Sequence, residues 1–251
     1  QGSMIGQASI VATKGELVED LPASGTAVIS TDDPLAQGLP DRTAATVLTY
    51  GSVGDVRATG VRLSGDLSLS LSVATPWGEA DLRPAVRGEH HVTNVLASLA
   101  GALAVGVPLD AAVAGIEQAE PPARRMQMHR IDRDILVIDD SFNATLESVL
   151  GALEALAAID APDRLAVMGP LVDGKAYVEL IHTIARERAE QLGLEMLAYR
   201  APNYGTPVVE HRRQLRERVD ALPDGSAVLI KGSRNDVIDE VIAELIDHPG
   251  I

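Results

Sequence analysis

The chain has 251 residues, 46% of them apolar, one Trp, one Phe, no Cys and a formal net charge of −15 at pH 7. Length and apolar content fit a folded chain of one or two domains with a substantial core, built from Ala, Val, Leu and Ile because aromatics make up only 2%. The missing cysteine excludes disulfides and thiolate metal sites, and the acidic balance argues against nonspecific binding to nucleic acid or anionic membrane, which needs a cationic surface.

Gln1-Gly2-Ser3 before Met4 reads as a cloning scar, and residues 8–21 suit a helix ending near Leu21-Pro22. Thr26–Ser30 reads as a short strand closed by Thr31-Asp32-Asp33-Pro34. From Thr46 to Val86 the pattern alternates, in 47–50, 56–61 and 67–73, as half-buried antiparallel strands do, with Pro76-Trp77-Gly78 as a hairpin turn. Gly88-Glu-His-His-Val-Thr-Asn94 then leads into 95–105, which is apolar nearly all round and is expected to be a buried helix. A shorter helix starts at Pro108-Leu109, and Pro121-Pro122 closes it at the expected domain boundary.

Beyond the boundary the sequence repeats a strand–helix rhythm. Strands are expected at 135–138, 165–168, 196–199 and 227–230, and helices at 146–158, 176–192, 212–220 and 236–246. That alternation predicts right-handed crossovers and a mostly parallel sheet. The run Ile135-Leu-Val-Ile138 has no polar interruption, as in a strand buried on both faces, and breaks at Asp139-Asp140-Ser141-Phe142-Asn143. Open α/β sheets bind ligands at such carboxyl ends, while Asp and Asn are equally ordinary turn residues. Lys231-Gly-Ser-Arg234 follows the last strand and has the donors to hold a carboxylate or phosphate, or it is a solvated basic turn. In a parallel sheet both clusters share one edge. An acidic and a cationic cluster there suit a zwitterionic amino acid or dipeptide, or else they neutralise each other as an ion pair.

Gly169-Pro-Leu-Val-Asp-Gly174-Lys175-Ala176 has the spacing of a phosphate loop. Ala176 lacks the magnesium-holding hydroxyl and Pro170 lacks an N–H donor, so an ordinary strand-to-helix loop is the stronger reading. His90 and His91 have no histidine partner at metal spacing, and a structural metal is not expected. No apolar run reaches the ~18 residues of a membrane span and no signal peptide is seen, so a cytoplasmic location is expected.

Six pieces in order resemble the Mur ligases, most closely the branch that adds D-alanyl-D-alanine. They are Ala12-Thr-Lys14-Gly-Glu-Leu17, Ala27-Val-Ile-Ser-Thr-Asp32-Asp33-Pro34, Gly88-x-His90-His91-x-x-Asn94, Arg124-Arg125-Met126-Gln127, Ile138-Asp139-Asp140-Ser141-Phe142-Asn143-Ala144 and Val228-Leu-Ile-Lys231-Gly-Ser233-Arg234. The resemblance implies an α/β chain: part of the central ATPase-type domain over 4–121, with antiparallel strands, and a Rossmann-like, mostly parallel C-terminal domain over 122–251. It implies an ATP- and Mg2+-dependent amide-bond ligase of cell-wall precursor synthesis that works through an acyl phosphate. The acceptor would be D-alanyl-D-alanine or a similar dipeptide. The family's phosphate loop lies upstream of the segment that Lys14 matches. The isolated chain is therefore expected to be inactive, with the missing half or a second copy covering the exposed sheet edge.

Residue by residue, Lys14 matches a lysine that the family often carbamylates, which turns a cation into the oxygen donor that magnesium prefers. His90, Asn94, Arg125, Asp140 and Asn143 match nucleotide-side positions. Lys231, Ser233 and Arg234 match the acceptor side. Ser30 stands where the family usually has Asn, Phe142 where it often has Tyr, Thr145-Leu146 where it has Asn-Pro, and Pro170 where an acid is common. These departures keep a second reading open, a ligase-like binding or partner module without chemistry.

Overall fold

The computed structural model describes residues 2–171, 178–233 and 238–247. The chain divides into two compact units, residues 1–64 with 68–120 and residues 65–67 with 121–251.

The first unit opens with helix α1 (Gly2–Glu19), which begins inside the expected cloning scar and ends before Leu21. Strand β1 (Thr26–Ser30) pairs in parallel with β2 (Thr46–Tyr50), from Thr26↔Thr46 to Ser30↔Tyr50. This corrects the antiparallel expectation for 47–50, because alternation reports which face is buried and not which way the neighbouring strand runs. Both faces of the pair are covered: Ala27, Ile29 and Val47 pack with Val18 and Leu21, while Val28 and Leu48 join a second cluster under the next helix.

Strands β3 (Arg57–Leu63), β4 (Leu69–Thr75) and β5 (Gly78–Leu82) form an antiparallel meander. Leu69, Leu71 and Val73 point to the core and the intervening serines point away, as a period of two requires. Gly78 turns the β4–β5 hairpin at φ 131°, a conformation that excludes most side chains. Helix α2 (Val92–Ala104) buries Val95, Leu96, Leu99, Ala100 and Leu103. It is therefore one-sided rather than enclosed: Asn94 and Ser98 are exposed, and its other outward positions are small residues that cost little in water. Helix α3 (Leu109–Gln118) follows Pro108 and packs on β5.

The second unit is a six-stranded sheet. Its strands are β6 (Gln127–Arg130), β7 (Leu136–Asp140), β8 (Arg164–Met168), β9 (Glu195–Tyr199), β10 (Val208–Val209) and β11 (Ala227–Lys231), in the order β10-β9-β8-β11-β7-β6. All neighbours run parallel except the antiparallel edge strand β6. Helices α4 (Leu146–Ala158), α5 (Val178–Gln191), α6 (Arg212–Asp220) and α7 (Ile238–Asp247) alternate with the strands. Strands β7 and β11 are buried at every position, which is why they read as continuous apolar runs. Last in sequence, β11 inserts between β7 and β8 and so brings the polar ends of β7 and β11 side by side, with the end of β8 next to them.

Candidate functional site

The carboxyl edge of the second unit is built by register. Ile230 lies opposite Asp139, and Lys231 lies opposite both Asp140 and Met168. The Lys231 ammonium donates to Asp140 Oδ2 at 2.6 Å and to the Asn143 carbonyl at 3.0 Å. Lys231 and Asp140 are 1% and 8% exposed, so these two charges neutralise each other inside the fold rather than facing a cleft as separate poles. The exposed ion pair weighed from the sequence is thus a buried one. Burial raises its consequence, because removing either partner leaves an uncompensated charge.

The loop after β7 is tied by several hydrogen bonds. Asp139 Oδ1 accepts from the Ser141 amide at 3.1 Å and its hydroxyl at 2.5 Å. Arg124 donates to the Ser141 hydroxyl at 3.0 Å and carbonyl at 2.6 Å, and the Arg124 carbonyl accepts from Phe142 N–H at 3.1 Å. Arg124 reaches this position from a left-handed backbone, φ 63°. Its neighbour Arg125 is exposed and sets its guanidinium 4.2 Å from the centroid of Phe142, a cation–π contact. Asn143 is exposed, whereas Ser233 is buried. Thr145 caps α4, its hydroxyl accepting from Ser148 N–H while Ser148 Oγ accepts from Thr145 N–H. Threonine therefore supplies a competent helix start at this position.

The turn after β8 is held from two sides. Gly169 N–H donates to the Lys231 carbonyl at 2.7 Å, and the buried Tyr204 hydroxyl donates to the Gly169 carbonyl at 3.0 Å. His182, 1% exposed, accepts from Leu171 N–H at Nε2 (3.2 Å), and its Nδ1 lies 2.5 Å from the Val178 carbonyl. Accepting at Nε2 and donating at Nδ1 fixes one neutral tautomer, and burial pushes the imidazole pKa down. His182 also meets Tyr204 edge-on at 4.4 Å. Neither residue was singled out from the sequence; the signal available was a histidine on the apolar face of a helix, which does not distinguish a latch from filler. Lys175 of the loop with phosphate-loop spacing, and Arg234, lie outside the described residues.

In the first unit, Lys14 is exposed on α1. The adjacent Gly15 leaves room for Arg42, whose guanidinium lies 2.1 Å from where a Cβ would stand. Arg42 in turn pairs with Glu19 at 2.7 Å and fixes that stretch of helix. Asn94 Nδ2 lies 3.3 Å from His91 Nδ1, and the His90 and His91 ring centroids lie 4.2 Å apart at a 42° tilt, with His90 and Asn94 exposed. Asp32 accepts from the Ser52 hydroxyl at 2.5 Å and from the Ser52 amide, which hold its pKa below the usual carboxylate value. Asp33 caps the following turn by accepting from Leu35 N–H. Both acids are thus engaged in turn geometry. No group of three or more His, Asp or Glu that could hold a metal occurs among the described residues, so these side chains alone do not make a magnesium site.

Residues 6–102 match the Mur ligase middle domain. Over most of its length the chain is similar to MurF. The crystal structure of MurF from Acinetobacter baumannii superposes with a TM-score of 0.85 at 25% identity, covering 95% of this chain and 55% of that one. The UDP-N-acetylmuramoyl-tripeptide--D-alanyl-D-alanine ligase of Escherichia coli is 26% identical over 96% of this chain and 56% of its own length. The enzyme of the same name from Mycobacterium bovis is 35% identical over 60% of this chain and 30% of its own length. The chain thus spans between about a third and somewhat over half the length of these relatives.

Proposed function

We propose that this chain is part of an ATP-dependent amide-bond ligase of peptidoglycan precursor synthesis. In this reading it supplies part of the ATPase-type middle domain and the domain that takes D-alanyl-D-alanine or a similar dipeptide. The observation that carries the reading is the agreement over 95% of the chain with MurF, at a TM-score of 0.85, together with the polar ends of β7 and β11 meeting at one carboxyl edge. ATP, when bound, supplies the phosphoryl group that activates a carboxylate toward the incoming amine.

The chain's own contribution is positioning. The exposed Arg125 guanidinium supplies fixed positive charge for phosphate oxygens, and the exposed Asn143 amide offers a donor and an acceptor. Lys14, His90 and Asn94 are assigned to the nucleotide and metal side on the family's pattern, with Lys14 as a magnesium ligand only if carbamylated. The described residues do not themselves complete a magnesium site. The chain matches about half of its relatives' length in the longer alignments, which supports a contribution to a larger ligase rather than turnover on its own. Strand β1 has β2 as its one hydrogen-bonded neighbour among the described residues, and its free edge is a surface for the remaining ligase length or a second copy.

A second reading, a ligase-like module that binds without chemistry, is favoured by one observation. Asp140 is not presented to solvent: Oδ2 meets Lys231, and Oδ1 meets Met126 N–H at 3.3 Å. Calorimetric titration with Mg-ATP tests the first reading. Saturable binding that is lost in Arg125→Ala supports it, and heat changes that persist unaltered in that variant reject Arg125 as a nucleotide contact.

A further inference from the structure

We infer that Lys231 is a positioning residue that locks the turns after β7, β8 and β11 into one arrangement, and that its ammonium does not contact ligand. The inference rests on the ligase reading only for its ligand-binding arm.

Three observations converge on this residue. Its ammonium bridges the Asp140 carboxylate at 2.6 Å and the Asn143 carbonyl at 3.0 Å, so it grips the β7 loop at both ends of the Ser141-Phe142 segment. Its own carbonyl accepts from Gly169 N–H at 2.7 Å, which pins the first residue after β8. Close packing reinforces the same junction: a Cβ on Gly169 would stand 3.2 Å from Gly232 Cα, and one on Gly232 would stand 3.0 Å from Ile238 Cδ1.

The pair is also committed energetically. The side chains of Lys231 and Asp140 keep 2% and 12% of their exposure, so turning the ammonium toward a ligand would strand a buried carboxylate. The family pattern puts residue 231 on the acceptor side and residues 140–143 on the nucleotide side. One buried ammonium joins both. Among the described residues near this edge, Arg125 and Asn143 are exposed. A strut of this kind predicts that one substitution disturbs both binding functions together, through the shape of the loops.

The test pairs ligand-free amide exchange with titration of Mg-ATP and of D-alanyl-D-alanine, in the unmodified protein, Lys231→Met, Asp140→Asn and the double variant. Lys231→Met is expected to accelerate exchange at Phe142 and Gly169 by at least about tenfold and to weaken both ligands by a similar factor, because local opening and binding draw on the same loop geometry. The double variant is expected to be no worse than the worse single one, as coupled partners are non-additive. Weakened binding with unchanged exchange would mean that Lys231 touches ligand, and would overturn the inference. Unchanged exchange would overturn it as well. If Lys231→Met does not fold, Asp140→Asn removes the charge that holds the ammonium while keeping the side chain's shape, and unaltered exchange at Phe142 and Gly169 in that variant would be equally fatal. If the unmodified protein binds neither ligand, the ligase reading fails while the exchange comparison still decides whether Lys231 is a strut.

Discussion

His182 gives the second unit a defined acid response. The imidazole is 1% exposed, and its Nε2 accepts from Leu171 N–H at 3.2 Å, a role open only to the neutral ring. Burial holds its folded pKa below the ordinary value near 6.5. As pH falls below that value the unfolded chain takes up the proton first, so stability declines with falling pH. The decline runs at up to about 1.4 kcal/mol per pH unit and levels off once the folded ring is protonated. His182→Ala removes this dependence and adds a cost of its own. An orphaned buried Leu171 N–H costs about 1–3 kcal/mol, and the lost edge contact with Tyr204 about 0.5–1.5 kcal/mol, together about 2–4 kcal/mol. Urea unfolding between pH 8 and pH 5, followed by near-ultraviolet circular dichroism, measures both terms. Tyr199 and Tyr204, each 1% exposed, report on this unit, and the single Trp77 reports separately on the first. The expected result is a wild-type midpoint that falls with pH and a variant whose midpoint is lower at pH 8 and flatter below it. Parallel pH profiles for the two proteins would refute the role given to His182.

Arg124→Ala removes two charge-assisted bonds to Ser141, each worth about 1.5–3 kcal/mol, and is expected to speed amide exchange at Phe142 while leaving the first unit's unfolding unchanged; exchange rates by NMR decide. Asp32→Asn weakens the Ser52 bonds that hold that carboxyl's pKa down. Because the pKa is depressed, the stabilisation is complete well above the ordinary carboxylate value of 3.8 and is lost as pH falls through the lower folded value. Acid titration of Trp77 fluorescence in both proteins should therefore show a smaller drop for the variant. The purified chain, given ATP, magnesium and both peptide substrates, is expected to release no ADP above background in a coupled assay; sustained turnover would show that it needs no further ligase length.

The long apolar strands were legible because burial on both faces leaves a continuous signature: the expected 135–138 overlaps β7 from Leu136 on, and 227–230 lies within β11. Strand β6 was not legible, since Gln127-Met-His-Arg130 is half-polar and is made a strand by its pairing with β7. Direction was not legible either in β2, where an alternating pattern served a parallel pair. At the site, the parallel-sheet rule brought Asp140 and Lys231 to one edge, but whether they face a ligand or each other depends on a side-chain distance of 2.6 Å. Arg124 illustrates the same limit. It sits in the quoted Arg124-Arg125 pair, yet only its positive φ turns it inward onto Ser141 while Arg125 stays in solvent.

The most direct test of the account is a titration of D-alanyl-D-alanine into isotope-labelled protein, followed through backbone amide shifts. The account predicts saturable changes confined to residues 139–144 and 231–233 at the carboxyl edge of β7 and β11. Shifts scattered elsewhere, or none at millimolar dipeptide, would contradict it.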